Sequence, residues 1–258
     1  MAQKIFGWIL ISLLICAASA YAGQSGAPVQ AVVLVSADAE WAVVKTLFPG
    51  QRCEKSPFGE YFFRRFDLPD KTSRSVVILQ GGWGKTRAAA STQFAIDRWN
   101  PGLLINLGTC GGFEGVIQRG TIILAAKTVI YDIIERMGDA EEAIKDYTTE
   151  IDLNWLKRPL PLPVLETVLV SADQDIDPKA IAVLRAKYGA VAADWESGAI
   201  AFVARRNAKR LLILRGVTDL VRETGGEAYG NIEVFRKNSE TIMKALFDTL
   251  PAWLRTEK

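Results

Sequence analysis

The sequence predicts a single α/β domain, a three-layer sandwich in which helices flank a central mixed, mostly parallel sheet. Two observations support this fold class. Short, continuous apolar runs such as residues 31–35 and 103–107 are typical of strands buried on both faces. These runs alternate with longer helical segments, as expected of a parallel, helix-covered sheet. Residues 29–255 carry the pattern without a linker or repeat, a length that one core can fill.

Each predicted element is bounded by turn-forming residues, and two strands pair around the turn Pro69-Asp70-Lys71. Residues 108–112 are rich in glycine, and their position after a strand favours a ligand-cradling loop over a plain tight turn. Residues 131–163 are polar, acidic and proline-bearing, and no element is assigned to them. The predicted strands are residues 31–35, 61–68, 75–79, 103–107, 121–125, 168–171 and 211–215. The predicted helices are residues 40–47, 85–99, 178–188, 197–206 and 232–254.

The absence of histidine restricts the chemistry that this chain can perform. The chain has 31 Lys and Arg residues and 29 Asp and Glu residues but no histidine. Ser-His-Asp triads, Cys-His pairs and histidine-ligated zinc are therefore excluded. General acid and base catalysis falls to Asp, Glu, Tyr, Lys or Cys, and the carboxylates are the leading candidates.

The first 22 residues predict a secretory signal peptide. Lys4 precedes an apolar run over residues 5–15, and the small residues that follow allow cleavage after Ala20 or Ala22. The apolar run is shorter than the ~20 residues that a membrane span needs. We therefore expect a soluble exported protein, periplasmic or secreted, that is not held in a membrane once residues 1–22 are removed.

The charge and the cysteines of the remaining chain predict neither a nucleic-acid partner nor a disulfide. The formal net charge is +2, and no cluster of Lys and Arg alternates with aromatic residues as nucleic-acid binding requires. Cys53 lies in a polar connector and Cys110 lies among glycines. Two free thiols are therefore favoured over a disulfide, even in an oxidising compartment.

Polar side chains stand close to the ends of several predicted strands. A charge at such a place is costly unless it is paired or used in chemistry. In open parallel sheets the ligand binds beyond the carboxyl ends of the strands, so these side chains are expected to share one cleft. Taken singly, each has a structural explanation, such as a helix-terminal carboxylate, a turn residue or a salt-bridge partner. The residues expected on this shared side are Glu40, Thr109, Asp173 and Asp219, and the further charges at strand ends are Glu196 and Arg215.

A second glycine-rich turn, over residues 82–86, is similar to a phosphate-binding loop but departs from its pattern. The pattern G-x-x-x-x-G-K-[ST] requires a glycine at position 79, where this chain has Leu79. A tight strand-to-helix turn is the favoured interpretation.

Five segments, taken in order, carry a family signature that covers nearly all of residues 29–255. The segments are Val35-Ser36-Ala37-Asp38-Ala39-Glu40, Gly81-Gly82-Trp83-Gly84-Lys85, Ile105-Asn106-Leu107-Gly108-Thr109-Cys110-Gly111-Gly112, Asp194-Trp195-Glu196 and Arg215-Gly216-Val217-Thr218-Asp219. They resemble the nucleoside phosphorylase and nucleosidase superfamily, and most closely its methylthioadenosine/S-adenosylhomocysteine nucleosidase branch. The resemblance implies cleavage of an N-glycosidic bond through an oxocarbenium-like ribose, with a purine as the leaving group.

The resemblance implies four catalytic residues. Asp219 would protonate the purine ring nitrogen so that the base leaves neutral, a role that suits a carboxyl group of raised pKa. Glu40 would orient and deprotonate the attacking water. Glu196 would hold the ribose hydroxyls as positive charge develops on the sugar, and Arg215 would fix these carboxylates.

The resemblance also implies a set of substrate-binding residues, and it implies neither a metal nor a cofactor. Trp195 would cover the ribose, and Trp83 and Tyr229 would close the 5′ side of the pocket. Where the nucleosidases stack a phenylalanine on the purine, this chain offers Asp175. The implied substrate-binding residues are Ser36, Ala37, Trp83, Thr109, Cys110, Gly111, Asp175, Ile176, Trp195, Thr218 and Tyr229.

Water is favoured over phosphate as the nucleophile. Phosphorylases of this superfamily hold phosphate with an arginine two residues before the Gly-Thr/Ser loop, where this chain, like the nucleosidases, has Asn106. The early loop offers an anion Asp38 and no cation. The resulting prediction is an exported purine-nucleoside hydrolase, assembled as a homodimer because its relatives form dimers or larger rings. The alternatives are a purine nucleoside phosphorylase and a non-catalytic nucleoside-binding or storage protein.

Overall fold

The apolar run Ala31–Val35 forms strand β1, and all of its residues are buried. Because successive side chains of a strand point to opposite faces, a strand that is apolar throughout must be covered on both sides. In the computed structural model, which describes residues 28–68 and 70–255, helices supply this cover. The signal peptide predicted over residues 1–22 and Pro69 of the predicted turn lie outside the described residues.

Strands and helices alternate along much of the described chain. The strands that follow β1 are β2 (Glu54–Lys55), β3 (Glu60–Asp67), β4 (Ser73–Gln80), β5 (Leu103–Phe113), β6 (Ile122–Ile130), β7 (Thr148–Glu150), β8 (Leu165–Ser171), β9 (Ala190–Asp194), β10 (Arg210–Arg222) and β11 (Gly225–Gly226). The helices are α1 (Asp38–Leu47), α2 (Lys85–Trp99), α3 (Ala140–Asp146), α4 (Ile181–Tyr188), α5 (Ser197–Arg206) and α6 (Ile232–Leu254). A 3-10 turn, Pro178–Ala180, precedes α4.

The strands form one mixed sheet in the order β11-β10-β6-β8-β9-β5-β1-β4-β3-β2, with β7 paired to β6. Its centre is parallel, since β1 pairs in parallel with β4 and β5, and β5 with β10. Because β10 pairs with both β5 and β6, the strands β5, β9, β8, β6 and β10 also close into a ring. The mixed sheet confirms the prediction, whereas the ring is a feature that the sequence does not predict.

Two apolar layers lie on opposite faces of the sheet, because alternate residues of the central strands face different helices. On one face, Val33 of β1 belongs to the same buried cluster as Leu246 of α6 and residues of α1. On the other face, Val32 shares a cluster with Ile200 of α5 and residues of α2. The predicted arrangement of helices on both faces of a sheet is therefore confirmed.

Two strands are longer than the sequence pattern indicates, and this changes the position of two site residues. Residues 108–112 continue β5 and are not a loop, because they pair with β10 on one side and, at Gly111 and Gly112, with β9 on the other. The strand predicted to end at residue 215 continues to Arg222. Thr109 and Asp219 therefore lie inside strands and not beyond their ends. Pairing with neighbouring strands outweighs the low strand preference of glycine here.

Several elements were not predicted because their sequence signals are weak. Helix α3 and strand β7 lie in the polar region 131–163. Strand β9 consists mostly of alanine, which has a low strand preference, and it is held instead by pairing with β5 and β8. The short strands β2 and β11 have two residues each and no apolar pattern. The helix predicted over residues 178–188 begins as a 3-10 turn and becomes α-helical at Ile181.

Candidate active site

A cavity of about 760 Å³ opens beside the ends of β1, β8 and β9 and the later parts of β5 and β10. Most of the predicted site residues come together on its wall. They are Ala37, Glu40, Trp83, Thr109, Cys110, Gly111, Asp175, Ile176, Trp195, Glu196, Thr218, Asp219 and Tyr229. Two predicted residues, Ser36 and Arg215, are buried and do not line the cavity.

Glu40 is held at the cavity wall through both oxygens of its carboxylate. It is the third residue of α1, and its Oε2 accepts the backbone N–H of Ala37 at 3.2 Å. Its Oε1 accepts from the backbone N–H and the hydroxyl of Thr109, at 2.7 and 2.8 Å. Glu40 can therefore both bind the start of its own helix and take part in catalysis. One oxygen of its carboxylate accepts from the helix start, and the other accepts from Thr109 of β5.

Arg215 is a buried cation surrounded by three carboxylates. Its guanidinium nitrogens lie 3.0 Å from Asp194, 3.5 Å from Glu196 and 3.7 Å from Glu40. Burial opposes the charged form, but the neighbouring carboxylates outweigh it and raise the pKa of Arg215. Because Arg215 does not line the cavity, it acts through the carboxylates as a positioning residue. The implied role of fixing the carboxylates matches these contacts, although the predicted set counted Arg215 as a catalytic residue.

Asp194, to which the sequence analysis assigned no role, is the carboxylate with the most donors. It accepts hydrogen bonds from the hydroxyl of Ser171 at 2.5 Å and from the backbone N–H and hydroxyl of Ser197. Together with the Arg215 Nε, these groups hold the Asp194 carboxylate in one orientation. The sequence signal was present, because Asp194 stands two residues before Glu196 in the same motif.

Asn106, at the position where the phosphorylases carry an arginine, is part of the same buried network. Its Oδ1 accepts from Arg215 Nη2 at 2.8 Å and lies 3.1 Å from the Ser197 hydroxyl, whose proton is donated to Asp194. Its Nδ2 donates to the Leu34 carbonyl at 3.1 Å. The amide group is therefore used in positioning Arg215, and the residue does not line the cavity.

Glu196 stands just before α5 and has fewer donors than Asp194. Its Oε1 accepts the backbone N–H of Gly84 at 3.1 Å. Burial raises the pKa of Glu196 to about 8, and the charges of Asp194 and Glu40 add to this effect while Arg215 counters it. With one cation for three carboxylates, the cluster retains a proton near neutral pH, and Glu196 is the group that holds it.

Asp219 lies at a bulge in β10, where the pairing with β5 shifts between Val217 and Asp219. The shift leaves Thr218 as an extra residue, and bulges of this kind re-aim side chains. The Thr218 hydroxyl donates to Asp219 Oδ1 at 2.7 Å. Burial raises the pKa of Asp219, and the charges of Glu227 and Asp175 act in the same direction, against the Thr218 hydrogen bond. A raised pKa is what a proton donor requires.

The turn over residues 82–86 leads into α2, and carboxylates accept its free backbone N–H groups. Gly84 donates to Glu196, and Lys85 donates to Asp173 Oδ1 at 2.7 Å. The Lys85 side chain forms an ion pair with Asp132. These bonds occupy the Gly84 and Lys85 donors, which a bound phosphate would otherwise use. Asp173 binds this turn and does not line the cavity, contrary to the expectation that it shares the cleft.

Aromatic side chains stand at the mouth of the cavity. Trp83 and Trp195 are in contact, with ring centroids 4.5 Å apart and planes inclined by 41°, and Trp83 is 58% exposed. The Tyr229 hydroxyl donates to the Ile176 carbonyl at 2.7 Å. Burial raises the pKa of Tyr229 above its ordinary range, so the phenol remains protonated.

Cys110 is buried in the cavity wall, and burial raises the pKa of its thiol well above the ordinary value. The thiol is therefore neutral near pH 7 and a poor nucleophile. Cys53 and Cys110 are both free thiols in the structure.

Further lining residues come from places where the sequence offers little or no signal. Phe235 and Arg236 lie in the first turns of α6, which reads as an ordinary amphipathic helix. Asp38 and Gln174 are the sequence neighbours of the predicted site residues Ala37 and Asp175, and this adjacency is the signal that could have identified them.

Two findings describe what residues 28–68 and 70–255 lack. No group of three His, Cys, Asp or Glu side chains in these ranges is arranged to hold a metal ion. No helix in the same ranges combines the length and the apolar content needed to cross a membrane.

A family model of the Phosphorylase superfamily matches residues 30–250. The chain belongs to the phosphorylase superfamily. The family resemblance inferred from the five sequence segments is thereby confirmed.

Within the phosphorylase superfamily, the chain is similar to several 5'-methylthioadenosine/S-adenosylhomocysteine nucleosidases. It is 30% identical to the Thermotoga maritima protein over 173 residues, 64% of this chain and 72% of the relative. It is 23% identical to the Marinomonas protein over 222 residues, 81% of this chain and 94% of the relative.

Solved structures of nucleosidases share the fold. The Helicobacter pylori enzyme, in complex with a substituted pyrrolidin-3-ol, aligns with a TM-score of 0.68 at 20% identity, over 87% of this chain and 99% of its own. The Colwellia psychrerythraea enzyme, in complex with adenine, aligns with a TM-score of 0.67 at 19% identity, over 90% and 98%.

Proposed function

We propose that the protein hydrolyses the N-glycosidic bond of a purine nucleoside and releases the free base and ribose or a 5′-substituted ribose. The observation that carries the proposal is the placement of Glu40, Glu196 and Asp219 on the wall of one cavity. The relatives of this phosphorylase-superfamily chain that are described above are nucleosidases, which supports the same reaction.

The three carboxyl groups suit three steps of this reaction. Asp219, with its raised pKa, donates a proton to a purine ring nitrogen as the bond to C1′ breaks. Glu196 holds the sugar hydroxyls through hydrogen bonds while positive charge develops on the ribose. Glu40 accepts a proton from the attacking water as the water oxygen bonds to C1′. One water molecule is consumed, and the base and the sugar both leave neutral.

The charges around the site favour water over phosphate as the nucleophile. The wall near Glu40 is formed by Ala37, Asp38 and Ala39, which offer no cation. Arg215 is engaged by three carboxylates, and Arg236, which also lines the cavity, pairs with Glu233 at 2.6 Å. A phosphate dianion beside Glu40 would therefore meet carboxylates, and Arg215, the cation among them, is already paired.

The test incubates the purified protein with inosine, guanosine, adenosine and methylthioadenosine, with and without phosphate. Free base and free sugar are expected at equal rates in both conditions. Base release that strictly requires phosphate, with a sugar phosphate as product, would establish a phosphorylase. Binding without base release in either condition would establish a nucleoside-binding or storage protein.

We also propose that residues 1–22 are a signal peptide and that the protein works in the periplasm or outside the cell. The support is the sequence of a lysine, an apolar run and small residues at the N-terminus. Fractionation of cells that express the full chain, followed by N-terminal sequencing, tests this. The protein is expected in the exported fraction with a new N-terminus after residue 20 or 22, and an intact chain in the cytosol would contradict it.

A homodimer is proposed as the working form. Trp83, Tyr229 and Ile232 line the cavity, and they are 58%, 39% and 54% exposed. Exposed apolar side chains gathered at one place favour a protein interface. Light scattering after size-exclusion chromatography is expected to give twice the chain mass, and a monomer at micromolar concentration would contradict this.

A further inference from the structure

Asp175 presents an unpartnered carboxylate to the cavity. It lines the cavity, and its side chain is exposed. Within residues 28–68 and 70–255, no hydrogen bond or ion pair joins it to another group. An ionised carboxylate only accepts hydrogen bonds, so its complement is a ligand with N–H donors.

The loop that carries Asp175 is held in place from two sides. The Ile176 side chain packs over Gly111 of β5 so closely that a Cβ at Gly111 would lie 2.9 Å from its Cδ1. The Ile176 carbonyl accepts the hydroxyl of Tyr229. Asp175 is therefore attached to a fixed part of the cavity wall.

The same part of the wall carries the proposed proton donor. A Cβ built on Gly111, which would meet the Ile176 side chain, would also lie 4.0 Å from Asp219 Oδ2. Burial is the largest cause of the raised pKa of Asp219 and of Tyr229, and the negative charge of Asp175 raises both pKa values further. Asp175 and Asp219 both line this cavity, and Ile176, the neighbour of Asp175, packs beside Gly111 close to Asp219. Under the proposed function this is the region of the leaving base.

On the basis of the proposed function, we infer that Asp175 selects the leaving base, and that the preferred base is a guanine-type purine. Guanine carries a ring N–H beside an exocyclic amine, and these parallel donors match the two oxygens of a carboxylate. Adenine has a ring-nitrogen acceptor at the same place, which an ionised carboxylate repels.

The inference requires one guanine to engage both carboxyl groups, each of which lines the cavity. The five-membered-ring nitrogen that receives the proton from Asp219 lies on the other edge of the purine from the N–H pair that Asp175 accepts. The Colwellia psychrerythraea relative holds adenine, so this selection distinguishes the present chain from that enzyme.

The experiment compares kcat/KM for guanosine, inosine and adenosine in the purified wild-type protein and in Asp175→Asn. The wild type is expected to favour guanosine over adenosine by about tenfold, the lower end of what a bidentate base contact contributes. Asp175→Asn is expected to lose this preference and to gain activity toward adenosine, since an amide can donate to the ring nitrogen. Asp248→Asn, an exposed aspartate far along α6, is the matched control and should change neither rate.

Two results would overturn the inference. One is a wild-type protein that hydrolyses adenosine as well as or better than guanosine, and the other is an unchanged ratio in Asp175→Asn. If no nucleoside is cleaved without phosphate, the proposed hydrolysis is wrong, and calorimetric binding of guanine and adenine then decides base selection. Tighter binding of guanine that Asp175→Asn abolishes supports the inference, and equal binding rejects it.

Discussion

At the scale of single residues, the carboxyl groups of the cavity differ mainly in what surrounds them. Glu40 is held by donors on both oxygens, so it is oriented to accept a proton from water. Glu196 and Asp219 are buried with fewer donors, and burial raises the pKa of each. Carboxyl groups can therefore supply both a base and an acid in one cavity, because the local environment sets the protonation state of each group.

The substitution Asp219→Asn should remove the proton donor and leave the fold unchanged. Asparagine keeps the shape and still accepts the Thr218 hydroxyl, so thermal stability and base binding should be close to wild type. We expect kcat/KM for purine nucleosides to fall roughly 10²- to 10⁴-fold, as is typical for loss of a general acid. Steady-state kinetics with a parallel melting curve measures this, and turnover within threefold of wild type would contradict the role of Asp219.

Glu196 should make the stability of the ligand-free protein depend on pH. Its pKa is about 8 in the folded chain against an ordinary value of 4.5, so the folded state binds the proton more tightly than the unfolded state. Stability from this group is therefore full below pH 4.5 and is lost as pH rises toward 8. Urea unfolding at pH 5, 6, 7 and 8 is expected to show a larger loss with rising pH in the wild type than in Glu196→Gln. Parallel curves for the two proteins would refute this assignment.

At the scale of elements, glycines in β5 let the strand pass close to charged side chains. A Cβ at Gly108 would lie 2.1 Å from Arg215 Nη1 and 2.8 Å from Glu40 Oε1. Residues 108–112 therefore serve the site as a strand and not as a loop. The sequence pattern located the segment correctly, but its conformation depends on pairing with β9 and β10, which no local signal reports.

The substitution Gly108→Ala should displace Arg215 and Glu40 and so reduce activity. The added methyl group cannot be accommodated without moving the guanidinium or the carboxylate, so we expect kcat/KM to fall at least tenfold and the melting temperature to drop. Gly102→Ala is the matched control just before β5, where the nearest atom would be 3.7 Å away in ordinary contact. Equal effects of the two substitutions would show that the close approach at Gly108 is unimportant.

The bulge at Thr218 is a second feature of the elements that the sequence does not report. The sequence pattern predicts that the strand ends at Arg215, but β10 continues to Arg222. The bulge within this continuation sets the direction of the Asp219 side chain. Asp219 was still identified as a site residue, because the motif around it carries the family resemblance. Family resemblance can thus locate a residue whose backbone conformation the residue pattern does not predict.

At the scale of the whole molecule, Arg215 connects groups from distant parts of the chain. Glu40 comes from helix α1 on one side of the sheet, whereas Asp194 and Glu196 come from the junction of β9 and α5. Glu40 and Glu196 are 156 residues apart in the chain, yet the pairing of β5 with β1, β9 and β10 brings these groups around one guanidinium. The cluster therefore depends on the complete topology.

Replacement of this cation should destabilise the whole domain. Arg215→Met leaves three buried carboxylates without their counter-charge, and we expect a loss of about 3–5 kcal/mol in the free energy of unfolding. Arg206→Met breaks an exposed pair with Asp146 and should cost less than about 1 kcal/mol. Chemical denaturation of both variants measures the difference, and a similar small loss in each would show that the buried cluster contributes little.

The sequence by itself determined the fold class, the family and most of the residues on the cavity wall. These follow from apolar runs, which reflect burial, and from ordered motifs, which keep the chemistry of the site. Tertiary structure alone decided which carboxyl group holds a proton, that Arg215 and Asn106 act from behind the wall, and that Asp173 serves a turn. The reason is that protonation and burial depend on neighbours brought together by long-range strand pairing, and a linear pattern does not contain those distances.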